Sequence, residues 1–265
     1  MARQSIMRTK EGKILHLECH DSLPSSHELA REYAREGTPD GYVVFSEKQT
    51  KYNSIGEKLS EGESEKGVYL SCILRPSIFA SQAGFIGAMS AVALVTALEE
   101  QTSSHLGIGW ISDIYCNGKK IGTATTEGKL DAYMAFEYII VSFAVKITDE
   151  DFPPRLSDMI KKVFESENTS ISLIIAKNIL SKFFAIYPKR IRTPEKVMEI
   201  YKKKFILGGV RAKYIEDGKR KRCKILGVHG ADGRLIIETA KGEIKNISGS
   251  KSIIIPHVIK LKNKK

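Results

Sequence analysis

The chain's four cysteines, Cys19, Cys72, Cys116 and Cys223, form no CxxC pair and stand far apart. That spacing argues against a disulfide framework and a cysteine-ligated zinc site, and leaves buried free thiols in a reducing compartment. No apolar run is long enough to span a bilayer. The longest, Phe85 to Leu98, is interrupted by glycine, serine and threonine and predicts a buried helix, so no membrane association is expected. The N-terminus shows no cationic start followed by an apolar stretch and a small-residue cleavage site, so no secretory leader is expected and the cytoplasm is the expected location. His16 and His20 have a metal-like spacing, but only on a helix. Ile14, His16 and Glu18 alternate with Leu15, Leu17 and Cys19, which predicts a strand and no metal site.

What the chain has in excess is positive charge, unevenly placed. Of 42 basic and 31 acidic residues, 22 basic and 7 acidic fall from Lys189 onward, giving +15 there and −4 in residues 1–188. Such an asymmetry indicates two units, the basic one suited to an acidic protein or a nucleic acid. At 265 residues the chain accommodates a large unit and a small one.

The pattern along the chain agrees. A strand over Lys13–Cys19 leads to Leu23-Pro24-Ser25-Ser26, where serines suit a helix cap, and Leu29, Ala30, Tyr33 and Ala34 share one helical face. Short apolar strands follow at Tyr42–Phe45 and Val68–Leu74, separated by a polar surface tract, Glu47–Lys66. A small-residue helix (Gln82–Glu100), an apolar strand (Tyr138–Ile147) and helices over Leu156–Glu165 and Ser170–Tyr187 complete the large unit. Pro188–Pro194 reads as a basic linker and Glu195–Phe205 as one more helix. Short strands with turns at Asp217-Gly218, Ala231-Asp232-Gly233 and Lys241-Gly242 then predict a small closed or nearly closed barrel, before a basic tail ending in Lys264-Lys265. The predicted divisions are 1–188, 189–206, 207–256 and 257–265. The fold class is α/β (α+β): a mixed, mostly antiparallel sheet flanked by helices, then the small β-barrel.

The stretch with the most chemical content is Gly109-Trp110-Ile111-Ser112-Asp113, continuing through Cys116 to Asn117-Gly118 and Lys119-Lys120-Ile121-Gly122. Asn and Gly tolerate the positive φ of a type I′ turn, so this is a two-residue hairpin. It resembles the signature hairpin of the biotin protein ligases, where Lys-Trp-Pro-Asn-Asp precedes the turn and Lys-X-X-Gly-Ile-Leu follows it. Trp110 and Asp113 match that motif. Gly109 replaces the lysine that the family aims at its acyl-adenylate. Lys120 matches the post-hairpin lysine if one residue is deleted before Gly122. It either contacts an adenylate or is a solvated turn lysine. Trp110 either stacks on an adenine or fills the core.

Other landmarks resemble the same family. Its Ser-Thr-Asn corresponds to Ser25-Ser26-His27, where hydroxyls among free backbone N–H groups suit the ureido ring of biotin as well as plain helix capping. Its conserved glutamine corresponds to Gln49. The glycine- and arginine-rich phosphate loop that follows is reduced to Lys51-Tyr52-Asn53-Ser54-Ile55-Gly56-Glu57-Lys58, in which only Gly56 matches and Lys51 and Lys58 are the remaining charge. A transferring phosphoryl group needs positive charge and close backbone approach together, and this stretch lacks that combination. Gly67–Pro76 matches a framework strand. In place of Gly-Ile-Gly-Ile-Asn the sequence reads Val141-Ser142-Phe143-Ala144-Val145-Lys146, and Phe143 is expected to fill a ligand pocket.

The resemblance implies a barrel of the Src-homology-3 kind at the C-terminus. Its hairpin tip, Lys219-Arg220-Lys221-Arg222, is either a solvated loop or a contact for an acidic protein or nucleic acid. No helix-turn-helix is expected ahead of the first strand. It further implies biotin and ATP with magnesium as cofactors if activity is retained, and a biotin-accepting carrier protein as partner, with dimerisation open. No catalytic residue is assigned. Two readings follow: a degenerate homologue with weak or no ligase activity and a binding or regulatory role, or an active divergent biotin, lipoate or other acyl ligase working through an acyl-adenylate.

Overall fold

The computed structural model describes residues 2–53, 57–80, 85–101, 106–146, 170–190, 195–230, 233–248 and 252–256. Its larger part is an eight-stranded mixed sheet in the order β1-β2-β3-β4-β8-β7-β6-β5. The strands are β1 (Arg3–Arg8), β2 (Ile14–His20), β3 (Tyr42–Gln49), β4 (Glu65–Leu74), β5 (Leu106–Ile108), β6 (Asp113–Cys116), β7 (Lys119–Leu130) and β8 (Phe136–Lys146). Only β2 and β3 pair in parallel, joined by helix α1 (Ser26–Arg35), and every other neighbouring pair is antiparallel. This is the expected mixed, mostly antiparallel sheet.

Residue alternation decides what each face packs against. Tyr138 and Ile140 of β8, Ile73 of β4 and Val44 of β3 meet Ala30 and Ala34 of α1 in one apolar cluster. The opposite residues, among them Val141, Phe143, Val145, Leu70, Cys72 and Phe45, join the main core. Helices α2 (Ile86–Glu99), α3 (Ile171–Arg190) and α4 (Glu195–Lys204) pack into that core, which continues into Tyr214, Ile225 and Leu235 of the C-terminal part. α2 is mostly Ala, Gly, Val, Leu and Ile, and the predicted buried helix is found there, starting at Ile86. The predicted helix over 156–165 lies outside the described residues. All four cysteines are buried, and none is in a disulfide. Among the described residues, no helix is long and apolar enough to cross a membrane.

Three expectations are corrected. A strand precedes the predicted first one: β1 pairs residue for residue with β2 from Arg3↔Cys19 to Arg8↔Ile14. The predicted linker begins too early, because α3 runs to Arg190, past Pro188. Ile175, Ile179, Phe183 and Tyr187 hold one buried stripe through the helix, and a proline in its last turn removes a single N–H. Phe143 does not fill the ligand side of the sheet. Its ring faces α3, 5.8 Å edge-to-face from Phe183.

The C-terminal part is a five-stranded antiparallel sheet ordered β12-β11-β10-β9-β13. It comprises β9 (Arg211–Glu216), β10 (Lys219–Val228), β11 (Leu235–Thr239), β12 (Ile244–Ile247) and β13 (Ile253–Ile254). Asp217 and Gly218 both take positive φ at the β9–β10 turn, as a two-residue hairpin requires. Two hydrogen bonds tie this region to the large sheet: the Trp110 indole N–H donates to Gly233 O at 2.8 Å, and the Tyr115 hydroxyl donates to Pro256 O at 3.0 Å.

Candidate functional site

At the N-terminus of α1, Ser25 is the cap. Its φ of −160° and ψ of 121° are extended, and its Oγ accepts from Glu28 N at 3.2 Å. This turns the next two side chains toward the sheet. Gln49, at the end of β3, accepts through Oε1 from Ser26 N at 2.9 Å and donates through Nε2 to Tyr52 O at 3.0 Å. Ser26 Oγ lies 3.1 Å from Ser71 Oγ on β4, and Ser142 Oγ of β8 donates to Ser71 Oγ at 2.8 Å. The register explains the meeting: Ser71, Ser142 and Thr125 form one row across β4, β8 and β7, facing α1.

His27 continues this row into a charged group. Its Nδ1 lies 2.7 Å from Ser142 Oγ, and its Nε2 lies 2.9 Å from Glu127 Oε2. Arg31, one helical turn on, donates to both oxygens of Glu127, from Nε at 2.7 Å and from a terminal nitrogen at 2.6 Å. This two-pronged geometry is the strong form of an arginine–carboxylate pair. The Arg31 guanidinium, helped by His27, holds the Glu127 carboxyl down at about 2. The same pairing raises Arg31. The cavity beside these residues has a volume of about 230 Å³ and is bordered by Ser25, Ser26, His27, Gln49, Thr125 and Ser142.

The pH response of this cluster follows by linkage. The folded carboxyl of Glu127 lies below its ordinary 4.5, so its contribution to stability is complete above 4.5 and is lost as pH falls toward about 2. Its side chain is 37% exposed, so the contribution is screened to under about 1 kcal/mol. Urea midpoints measured from pH 5 to pH 2 should fall less steeply in Glu127→Gln than in the wild type. Parallel curves would show that the pair contributes nothing.

A second cavity, of about 540 Å³, adjoins the first, with Thr123 and Thr125 bordering both. Trp110, Asp113 and Lys120 line it. The hairpin is as predicted, with Asn117 at φ 49° and Gly118 at φ 87°. Lys120 is not solvated. Its Nζ lies 2.8 Å from Asp113 Oδ1, its side chain is 12% exposed, and Thr123 Oγ1 donates to the same oxygen at 2.8 Å. Trp110 is buried, with its indole N–H spent on Gly233. Gly122 is a packing position, since a Cβ there would lie 2.6 Å from Ala144 O on β8.

Position 109 is closed to a side chain. A Cβ on Gly109 would lie 2.6 Å from Cε2 of Tyr115, whose ring is itself buried. In the phosphate-loop remnant, Lys51 Nζ holds both oxygens of Glu28, at 2.7 and 2.8 Å. Lys58 is exposed and bridges Tyr52 through backbone pairing. Gly56 lies outside the described residues.

The structure thus gathers Ser25, Ser26, His27 and Gln49 at the first cavity and Trp110, Asp113 and Lys120 at the second. Sequence reasoning missed Arg31, Glu127, Ser71 and Ser142. Faint signals existed for three of them. Arg31 stands four residues after His27 on the same helical face, and Ser71 and Ser142 interrupt otherwise apolar strands. Glu127 gave no signal.

The fold of the chain as a whole is shared with solved biotin protein ligases. The biotin protein ligase from Aquifex aeolicus in complex with biotin and ATP matches with a TM-score of 0.60 at 20% identity, over 91% of this chain and 99% of that one. A biotin protein ligase-like protein of unknown function from Silicibacter sp. TM1040 matches with a TM-score of 0.64 at 13% identity, over 92% of this chain and 97% of that one. In sequence, the chain is 29% identical over 178 residues to the bifunctional ligase/repressor BirA of Bacillus subtilis, covering 67% of this chain and 54% of BirA. The BirA of Bacillus spizizenii is 27% identical over the same length. The matched region spans about half the length of these relatives. No family model matches the chain. The chain is thus similar in sequence to these ligase/repressor proteins and similar in fold to biotin protein ligases.

Proposed function

We propose that this chain has weak or no ligase activity and acts as a binding or regulatory protein through the polar cavity at the start of α1. The observation that carries this reading is at position 109, where the Tyr115 ring occupies the space a side chain needs. Forming an acyl-adenylate places negative charge on a phosphate, and positive groups aimed at that charge stabilise it. No such group can project from position 109. Lys51 is already neutralised by Glu28, and the 51–58 stretch contains no arginine. The hydroxyls and amide of Ser25, Ser26, Ser142 and Gln49 still suit a small polar ring such as an ureido group. The cavity of about 230 Å³ lies just below the ~300–1,000 Å³ usual for drug-sized ligands.

One observation favours the active reading. The second cavity adjoins the first and has Lys120 in its wall, so an acyl group and a nucleotide would lie side by side there. In that case biotin and ATP with magnesium are the cofactors, Lys120 replaces the hairpin lysine, and a biotin-accepting carrier protein receives the acyl group.

Calorimetric titration separates the two readings. Biotin alone, ATP with magnesium alone and both together are titrated into the full chain, with pyrophosphate release followed in parallel. The expected result is that biotin binding, whatever its strength, is unchanged by ATP and that no pyrophosphate appears. Tight biotin binding strengthened by ATP, with pyrophosphate released, would overturn the proposal.

A further inference from the structure

The outward face of the smaller sheet carries charge that no carboxylate among the described residues pairs with. Along β9 and β10 the side chains alternate. Ala212, Tyr214, Cys223 and Ile225 turn inward and are buried, whereas Arg211, Lys213, Arg220, Arg222 and Lys224 are exposed. The register sets like charges directly opposite one another, Arg211 against Lys224 and Lys213 against Arg222. Such pairs are unfavourable in a sheet. On the inward side the charges are answered: Lys221 and Lys245 both hold Glu216. Among the described residues, none of the five outward cations has a carboxylate within ion-pair distance. Glu238 stands opposite Lys224 on β11 without closing one.

Shape and spacing say what would answer them. A groove of about 720 Å³ crosses this face, lined by four of the five cations and by one carboxylate, Glu238 of β11, so its wall is positive on balance. Alternate residues of a strand recur about every 6.8 Å, and the neighbouring strand lies about 5 Å away. Arg220, Arg222 and Lys224 therefore form a row with a repeat of the same order as the phosphates of a nucleic-acid strand, and Arg211 and Lys213 form a second row beside it. Three of the five are arginines, whose forked donors fit phosphate oxygens. No aromatic side chain is exposed among these strand positions, and Tyr214 points inward. Single strands are held largely by bases stacked on aromatic rings, so the face suits the outside of a duplex.

We propose that the outward face of β9 and β10 binds the phosphodiester backbone of double-stranded DNA without reading its sequence. The groove lies on the smaller sheet, away from the α1 cavity; it shares only Ile254 with the second cavity, and the proposal does not depend on whether the chain makes an adenylate.

The test is fluorescence anisotropy of a labelled DNA duplex of arbitrary sequence with the full chain. Five phosphate contacts predict a slope of about −4 to −5 for log K against log salt, so binding should weaken ~10²–10³-fold between 50 and 200 mM salt. The variant R211Q/K213Q/R222Q/K224Q keeps only Arg220. It should bind at least tenfold more weakly at 50 mM salt, with a slope near −1 and an unchanged or raised Tm, because it relieves like-charge pairs. The charge-conserving variant K213R/K224R should bind as the wild type does. No duplex binding at 50 mM salt, a quadruple variant that binds like the wild type, or preferential binding of a poly-glutamate peptide through the same residues would each overturn the proposal. The last of these would assign the face to an acidic protein.

Discussion

Restoring a lysine at position 109 is expected to damage the protein and leave ligation absent. Gly109 is buried, and its nearest non-local neighbour is the ring of Tyr115, 2.6 Å from where a Cβ would sit. That ring cannot step aside freely, because its hydroxyl is held by Pro256 O at 3.0 Å. Overpacking of this kind costs about 1–3 kcal/mol, and a buried ammonium without a partner adds to that. Gly109→Lys should therefore lose at least about 3 kcal/mol of unfolding free energy in urea melts and release no pyrophosphate with biotin and ATP. Removing the ring as well, in Gly109→Lys with Tyr115→Ala, makes room for the lysine and should recover part of the overpacking cost. A single Gly109→Lys variant as stable as the wild type would show that the hairpin can open there, and would weaken the case against adenylation.

The second large effect is structural and concerns what holds α3 against the sheet. Phe183 is fully buried between β8 and the rest of its own helix. It meets Phe143 edge-on at 5.8 Å, Phe184 edge-on at 5.4 Å and Tyr187 in a stack at 5.1 Å. Truncation to alanine removes the ring at the centre of this cluster and leaves a cavity that three aromatic neighbours cannot close together. Phe183→Ala is expected to cost about 3–5 kcal/mol, which for a chain of this size lowers Tm on the order of 10 °C. The α1 cavity faces the other side of the sheet, so ligand binding measured well below the new Tm should be unaffected. A loss of binding at low temperature would show that the two faces are coupled.

These two predictions fall on opposite sides of what could be read along the chain. The sequence by itself determined the elements whose physics is local. The Asn117-Gly118 hairpin follows from positive φ, the Ser25 cap from a side-chain oxygen near free N–H groups, and the buried α2 from a long, mostly apolar run of small residues with few charges. Strand alternation placed β2, and continuous apolar runs placed β4 and β8. Alternation failed at β1, an edge strand whose partly exposed residues carry no apolar alternation, and whose pairing with β2 is a contact between strands.

Only the tertiary structure decided the chemistry. Phe143 and Ser142 are adjacent in sequence, and which of them faces the cavity depends on the register of β8 against β4 and β7. Glu127 is 96 residues from Arg31 and 100 from His27, yet all three meet because β7 runs beside β8 beneath α1. The closure of position 109 depends on Tyr115 reaching back from β6, and the partnered state of Lys51 depends on Glu28 of α1. Local rules fix a residue's backbone and its face within an element. Which charges neutralise one another, and which space is already full, are set by side chains brought together from distant parts of the chain.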